Sequence, residues 1–114
     1  MNITEGDYVL LNIKTVNKEY NDFINNNVGE VISLKTKHYH EDENDIYLPY
    51  KIEVKYNIDV EDFKRLKIFF QHLDYDYATD YYTFSSFFDI SYVMFYGKTE
   101  EEVKIKYNSN KYNL

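Results

Sequence analysis

The chain has 114 residues, 44 % of them hydrophobic and 29 % charged, with no cysteine and a formal net charge of −7. That is the size of one domain with a real core, and apolar residues run throughout, which excludes wholesale disorder. No run of 18 apolar residues exists to cross a membrane, and the lack of cysteine removes disulfide and thiolate chemistry.

The acidic balance repels phosphate, so direct nucleic-acid binding is disfavoured. Twelve of the thirteen bases are Lys, and Arg65 is the one Arg, the residue type best suited to bidentate phosphate contacts. Lys, Asn, Ile, Tyr and Phe all have AT-rich codons. The 14 Tyr, like the Lys excess, therefore point first to an AT-rich genome such as that of a low-GC bacterium or its phage. The first residues, Met1-Asn2-Ile3-Thr4-Glu5, carry no basic segment or apolar run, so no signal peptide is expected and the cytoplasm is the default location. With one proline and three glycines, no linker interrupts a single domain over 1–114.

In chain order, residues 7–13 read as a first strand after Gly6, and 15–27 as a long loop or short helix closed by Asn25-Asn26-Asn27. Residues 28–34 read as a second strand led by Gly29, with Gly6 and Gly29 as bends. An exposed connection over 35–48 carries His38, His40 and the acids Glu41, Asp42, Glu43 and Asp45. Pro49 stands where a third strand over 50–56 begins. There Tyr50, Ile52, Val54 and Tyr56 share one face, opposite Lys51, Glu53 and Lys55, the period-2 pattern of a half-buried strand.

The period then changes. Asp59 is an N-cap, and Val60, Phe63, Leu66, Phe70 and Leu73 predict a helix over about 60–73, with a strand at 66–70 as the rival. Residues 74–80 read as a turn. Strands follow at 81–84 and 90–95, joined by 85–89. Thr99 and Glu102 form a capping box, and Glu100–Lys104 and Glu102–Lys106 are favourable i,i+4 pairs. Together they predict a C-terminal helix over about 100–108, with a period-2 strand through Val103, Ile105 and Tyr107 as the competing pattern.

Gly6-Asp7-Tyr8-Val9, Gly29-Glu30-Val31-Ile32, the strand at 50–56 and the Phe87-Phe88-Asp89-Ile90 step resemble the SH3-like class of small β-barrels, which includes KOW-type modules. The resemblance covers about 3–56 and 81–95. It implies an α+β protein: a small bent antiparallel barrel or sheet, with the helix at 60–73 inserted and the C-terminal helix appended. Such barrels serve as binding modules for peptides, proteins or nucleic acids rather than as enzymes, and fold alone does not choose among these.

No catalytic or cofactor motif stands out. Ser85 and Ser86 lack a nucleophile-elbow turn, and Gly97-Lys98-Thr99 lacks the upstream glycine of a phosphate loop, with Tyr92 at that position. His38-x-His40-Glu41-x-Glu43 is the best metal-like cluster, and His38 and His40 face the same way on an extended segment. No metal is expected, because structural zinc sites usually carry Cys or more widely separated ligand pairs; His72 could join only if folding brings it near. Phe84, Phe87, Phe88, Phe95 and Tyr96 fit a core better than a base-stacking platform, which needs a basic groove.

The segment Asp74-Tyr75-Asp76-Tyr77-Ala78-Thr79-Asp80-Tyr81-Tyr82 alternates acids with tyrosines, residues suited to a basic partner surface. With Glu41, Asp42, Glu43 and Asp45 it could imitate phosphate spacing. The expected function is therefore non-enzymatic protein binding through an acidic, tyrosine-rich face. A phage or mobile-element inhibitor of a host defence protein that binds nucleic acid fits this size and charge. Two alternatives stand beside it. One is a nucleic-acid-binding module using Lys35, Lys37, Lys51, Lys55, Lys64, Arg65 and Lys67. The other is a small-ligand or nucleotide binder with an aromatic pocket.

Overall fold

A computed structural model describes residues 2–41, 44–66, 74–76 and 81–112. The element order is β1 (Tyr8–Leu11), α1 (Lys18–Asn25), β2 (Gly29–Glu41), β3 (Asn44–Ile58), α2 (Val60–Leu66), β4 (Asp74–Asp76), β5 (Tyr81–Asp89), a 3-10 turn (Ile90–Tyr92), β6 (Val93–Gly97) and α3 (Glu100–Tyr112). The strands form one antiparallel sheet in the order β4-β5-β3-β2-β1-β6. Among the described residues the sheet does not close into the expected barrel. Its edges, β4 and β6, lie at opposite ends of the strand order and do not pair with each other, and α3 packs on β6 and β1.

Alternation decides which residues enter the core. Val9 and Leu11 of β1, Val31 of β2, Ile52, Val54, Tyr56 and Ile58 of β3, and Phe88 of β5 line one face. Phe23 and Ile24 of α1, Leu66 of α2, and Ile3 and Ile13 cover it. Burying a side chain of this kind contributes about 1.5–3 kcal/mol. Leu10, between Val9 and Leu11, turns to the other face. Val103 of α3 is likewise buried outside the main cluster.

The two leading glycines do different work. Gly6 is the predicted bend, with φ +89° in a turn where Asp7 N donates to Thr4 O at 3.1 Å. Gly29 is not a bend. It opens β2 against Val54 and Tyr56, where a Cβ would overlap Val54 Cγ1 and lie 2.8 Å from Tyr56 Cε1 and 2.9 Å from Cζ. Close approach, not backbone freedom, requires glycine there. The first turn is fastened by Asp7, which is 2 % exposed: Lys98 Nζ donates to its Oδ1 at 2.8 Å, and Thr4 N to its Oδ2 at 3.0 Å.

Within residues 15–27, Lys18–Asn25 form a short helix, α1, the second of the two expected forms. Asn17 caps its start by accepting from Tyr20 N at 3.1 Å. The asparagines close its end. Asn26 and Asn27 Nδ2 donate to Asp22 O and Phe23 O at 2.6 and 2.7 Å, and Asn25 clamps Ile13 through both N–H (2.7 Å) and C=O (2.9 Å). The Asn26 and Asn27 bonds satisfy carbonyls that a helix end otherwise leaves open.

The largest departure is at 35–48. The expected loose connection is instead the far half of a long hairpin, paired down to Glu41↔Asn44. Both its faces are exposed, so no hydrophobic alternation announced it; backbone pairing and the β-forming Thr36, Tyr39, Ile46 and Tyr47 sustain it. Pro49 lies inside β3, at a register shift where proline's missing N–H is tolerated.

Asp59 caps α2 as predicted, accepting from Asp62 N at 2.8 Å. The helix runs Val60–Leu66, and the predicted remainder to 73 lies outside the described residues. Part of the predicted turn at 74–80 is the edge strand β4; residues 77–80 lie outside the described set. The expected strand at 81–84 and the link at 85–89 are instead one strand, β5, and the expected strand at 90–95 is divided between the 3-10 turn and β6. The residues of β5 alternate in register along β3, from Ile58↔Tyr82 to Lys51↔Asp89. Asp89 then caps the 3-10 turn, accepting from Ser91 N at 2.9 Å. The C-terminal helix exceeds its predicted length by a turn. Thr99 Oγ1 accepts from Glu102 N at 3.1 Å, while Glu102 reaches back to Lys98 N at 2.9 Å rather than to Thr99. Both i,i+4 pairs form, Lys104–Glu100 at 3.0 Å and Lys106–Glu102 at 3.1 Å.

Candidate protein-binding arm

The predicted partner-binding residues fall at two separate places. Glu41 ends β2 and Asp45 lies near the start of β3, at the hairpin tip; Asp42 and Glu43 lie outside the described residues. Asp74, Tyr75 and Asp76 form β4, paired with Thr83, Tyr82 and Tyr81 at the opposite end of β3. Tyr77 and Asp80 lie outside the described residues. From Asp45 to Asn57, where β3 meets the β5 residues that pair with β4, the strand spans about 40 Å at roughly 3.3 Å per residue. The two segments therefore do not share one contact surface.

The hairpin beyond Lys35 forms an arm whose described side chains up to Leu48 are all exposed. Tyr39 is 48 % exposed, Ile46 36 %, Tyr47 62 % and Leu48 52 %. Sequence reasoning did not single out these four residues. The available signal was a set of large apolar side chains in a stretch otherwise as polar as a loop.

At the tip, pairing places Asp45 opposite His40 and Tyr47 opposite His38. One carboxylate oxygen, Asp45 Oδ1, stands 2.8 Å from His38 Nε2 and 3.1 Å from His40 Nδ1. The bonds from His40 and then His38 hold the Asp45 carboxyl below its ordinary range. Tyr47 stacks on the His38 ring, with centroids 4.8 Å apart and planes at 19°. Among the described residues, no group of three His, Asp or Glu side chains is arranged around a metal position.

The sheet face away from the core carries Glu53, which accepts from Ser33 Oγ at 2.9 Å and Ser85 Oγ at 3.3 Å. Lys35 faces Lys51 across the β2–β3 ladder, and its Nζ lies 4.3 Å above the Phe87 ring; Lys37 Nζ lies 4.9 Å from that of Tyr50. Lys64 is on α2, which covers the opposite face. The five aromatic residues considered as a platform are dispersed. Phe88 is buried, Phe84 and Tyr96 pack at the core margin, Phe95 meets Tyr107 edge-on, and Phe87 is exposed.

A cleft of about 330 Å³ lies between the α1–β2 turn and α3. Its walls are polar, and its charges come as neighbours of opposite sign: Lys104 with Glu100, and Lys55 with Glu30 across the ladder. No family model, curated protein or solved structure matches the chain.

Proposed function

We propose that this protein is a non-enzymatic protein-binding module that docks its β2–β3 arm onto a basic surface of another protein. The observation that carries this is the arm itself: Tyr39, Ile46, Tyr47 and Leu48 stand exposed on a paired, backbone-satisfied hairpin beside an acidic tip. A rigid hairpin loses little freedom on binding, and tyrosines supply contact area with a polar end. The tip sequence holds four carboxylates in five residues, Glu41, Asp42, Glu43 and Asp45, a density that competes with phosphate for a basic groove. The favoured partner is therefore a nucleic-acid-binding protein, and the favoured role its inhibition by a phage or mobile-element product. The strand order and the 3-10 turn before the last strand support reading the sheet as an SH3-like barrel left open, a class that serves mainly in binding.

Affinity capture from the source cells tests this. Tyr47→Ala with Leu48→Ala, and separately Glu41→Lys with Asp45→Lys, should lose the captured partner. Asp74→Lys with Asp76→Lys, at the far end of β3, should keep it. Capture that survives both arm variants refutes the proposal.

A further inference from the structure

We infer that His38 and His40 form a two-imidazole chelate for a borderline divalent transition metal ion, Cu²⁺, Ni²⁺ or Zn²⁺, with Asp45 as the carboxylate that holds both rings on one side of the arm. The two histidines sit two residues apart on β2, so alternation places both rings on the same face. The shared contact with Asp45 Oδ1, at 2.8 Å from His38 Nε2 and 3.1 Å from His40 Nδ1, sets the two rings side by side and leaves His38 Nδ1 and His40 Nε2 as the nitrogens for the ion. Both rings are open to solvent, at 49 % and 70 % exposed, so an ion has access and the rings can turn to meet it. Imidazole nitrogen is the ligand type these ions prefer, and a neighbouring carboxylate is the usual partner of a metal-binding histidine.

This departs from the expectation of no metal, which rested on the missing cysteines and on the close spacing of the pair. A surface chelate does not need cysteines; it needs two imidazoles side by side, and the hairpin supplies that. With no third donor already in place among the described residues, the remaining coordination positions fall to water or to a partner. The ligand set also fixes the selectivity. Binding should follow Ni²⁺ < Cu²⁺ > Zn²⁺ and should not extend to Ca²⁺ or Mg²⁺, which take oxygen ligands.

The test is equilibrium dialysis of the full chain against each ion, with bound metal measured by elemental analysis and the fold followed by circular dichroism. The wild type should bind one ion of Cu²⁺, Ni²⁺ or Zn²⁺, and His38→Ala and His40→Ala should each weaken binding at least ~10-fold with the spectrum unchanged. Asp45→Asn should weaken it less. In the wild type, substoichiometric Cu²⁺ should broaden the ring resonances of His38 and His40 before those of His72. The inference is overturned if none of the three ions binds. It is also overturned if the His38→Ala/His40→Ala double variant keeps the ion, or if Ca²⁺ and Mg²⁺ compete equally; either result would assign the site to the acids of the tip.

Discussion

Tyr56→Phe should make this protein more stable. Tyr56 is 1 % exposed, at the centre of the core, edge-on to Phe23 (5.8 Å) and Phe88 (6.4 Å). Its hydroxyl is the buried side-chain polar atom without a hydrogen-bond partner among the described residues. Burial, and then the nearby Tyr20, push its ionisation far above the ordinary tyrosine range, so it stays neutral at any working pH. A buried hydroxyl with no partner costs about 1–3 kcal/mol relative to water. Deleting one oxygen forfeits a few dispersion contacts at roughly 0.1–0.2 kcal/mol each, under about 1 kcal/mol in all. The net expectation is a gain of about 1 kcal/mol, or a rise in Tm of about 4 °C for a chain of this size. Urea unfolding followed by circular dichroism should show a higher midpoint with an unchanged slope. A loss of 1 kcal/mol or more would refute the reasoning, because it would mean that the hydroxyl makes a bond worth keeping.

Three further outcomes follow from contacts elsewhere in the fold. Gly29→Ala should destabilise by about 1–3 kcal/mol in the same unfolding assay, because the new methyl overlaps Val54 Cγ1 and the Tyr56 ring, and both side chains are fully buried. At Asp7, burial raises the carboxyl's pKa, but the Lys98 hydrogen bond, the Thr4 backbone bond and the Lys98 charge together outweigh it, and the net shift is downward. Stability from this group is therefore fully present above the unfolded value near 3.8 and is lost as pH falls through the lower folded value; Asp7→Asn should flatten that part of the acid-unfolding curve. Lys106 Nζ donates to Tyr96 O at 2.7 Å on the outer side of β6, an edge strand. Lys106→Ala should uncover that edge and raise self-association in sedimentation velocity, with little change in monomer stability.

Local chemistry was legible wherever it was dense. The Asp59 cap, the α3 ion pairs and the alternation of Ile52, Val54 and Tyr56 follow from spacing alone, and each forms as read. What escaped notice was structure whose cause lies in a partner strand. Ser85 and Ser86 look like a break between strands, yet β5 runs through them because Lys55 and Val54 sit opposite and Glu53 takes the Ser85 hydroxyl. The arm escaped for the same reason: with both faces in water, its strands carry no hydrophobic period to read. Gly29 resembles Gly6 in sequence, but its need for glycine comes from Val54 and Tyr56, 25 and 27 positions later. The candidate metal pair was half legible. His38 and His40 share a face in any extended segment, but nothing local says that Asp45 joins them.

Asp45 joins them because of Pro49. On the core side of the arm the ladder pairs Leu34 with Ile52 and Lys35 with Lys51; continued unbroken, it would set His40 opposite Ile46 and His38 opposite Leu48. Between Lys35 and Thr36 the register slips by one, so that Thr36 meets Pro49 and Tyr50 is left as the extra residue. A bulge there accommodates a proline that cannot donate to the ladder. Because side chains alternate, a slip of one residue exchanges the two faces of everything beyond it on that strand. Asp45 and Tyr47 come round to the imidazoles, and Ile46 and Leu48 turn to the other side beside Lys37 and Tyr39. The arm thus acquires one face of His38, His40, Asp45 and Tyr47 and another of exposed aliphatic and aromatic groups. Asp45 and Tyr47, which the docking proposal also uses, lie on the metal face, so a bound ion and a docked partner would share those two side chains.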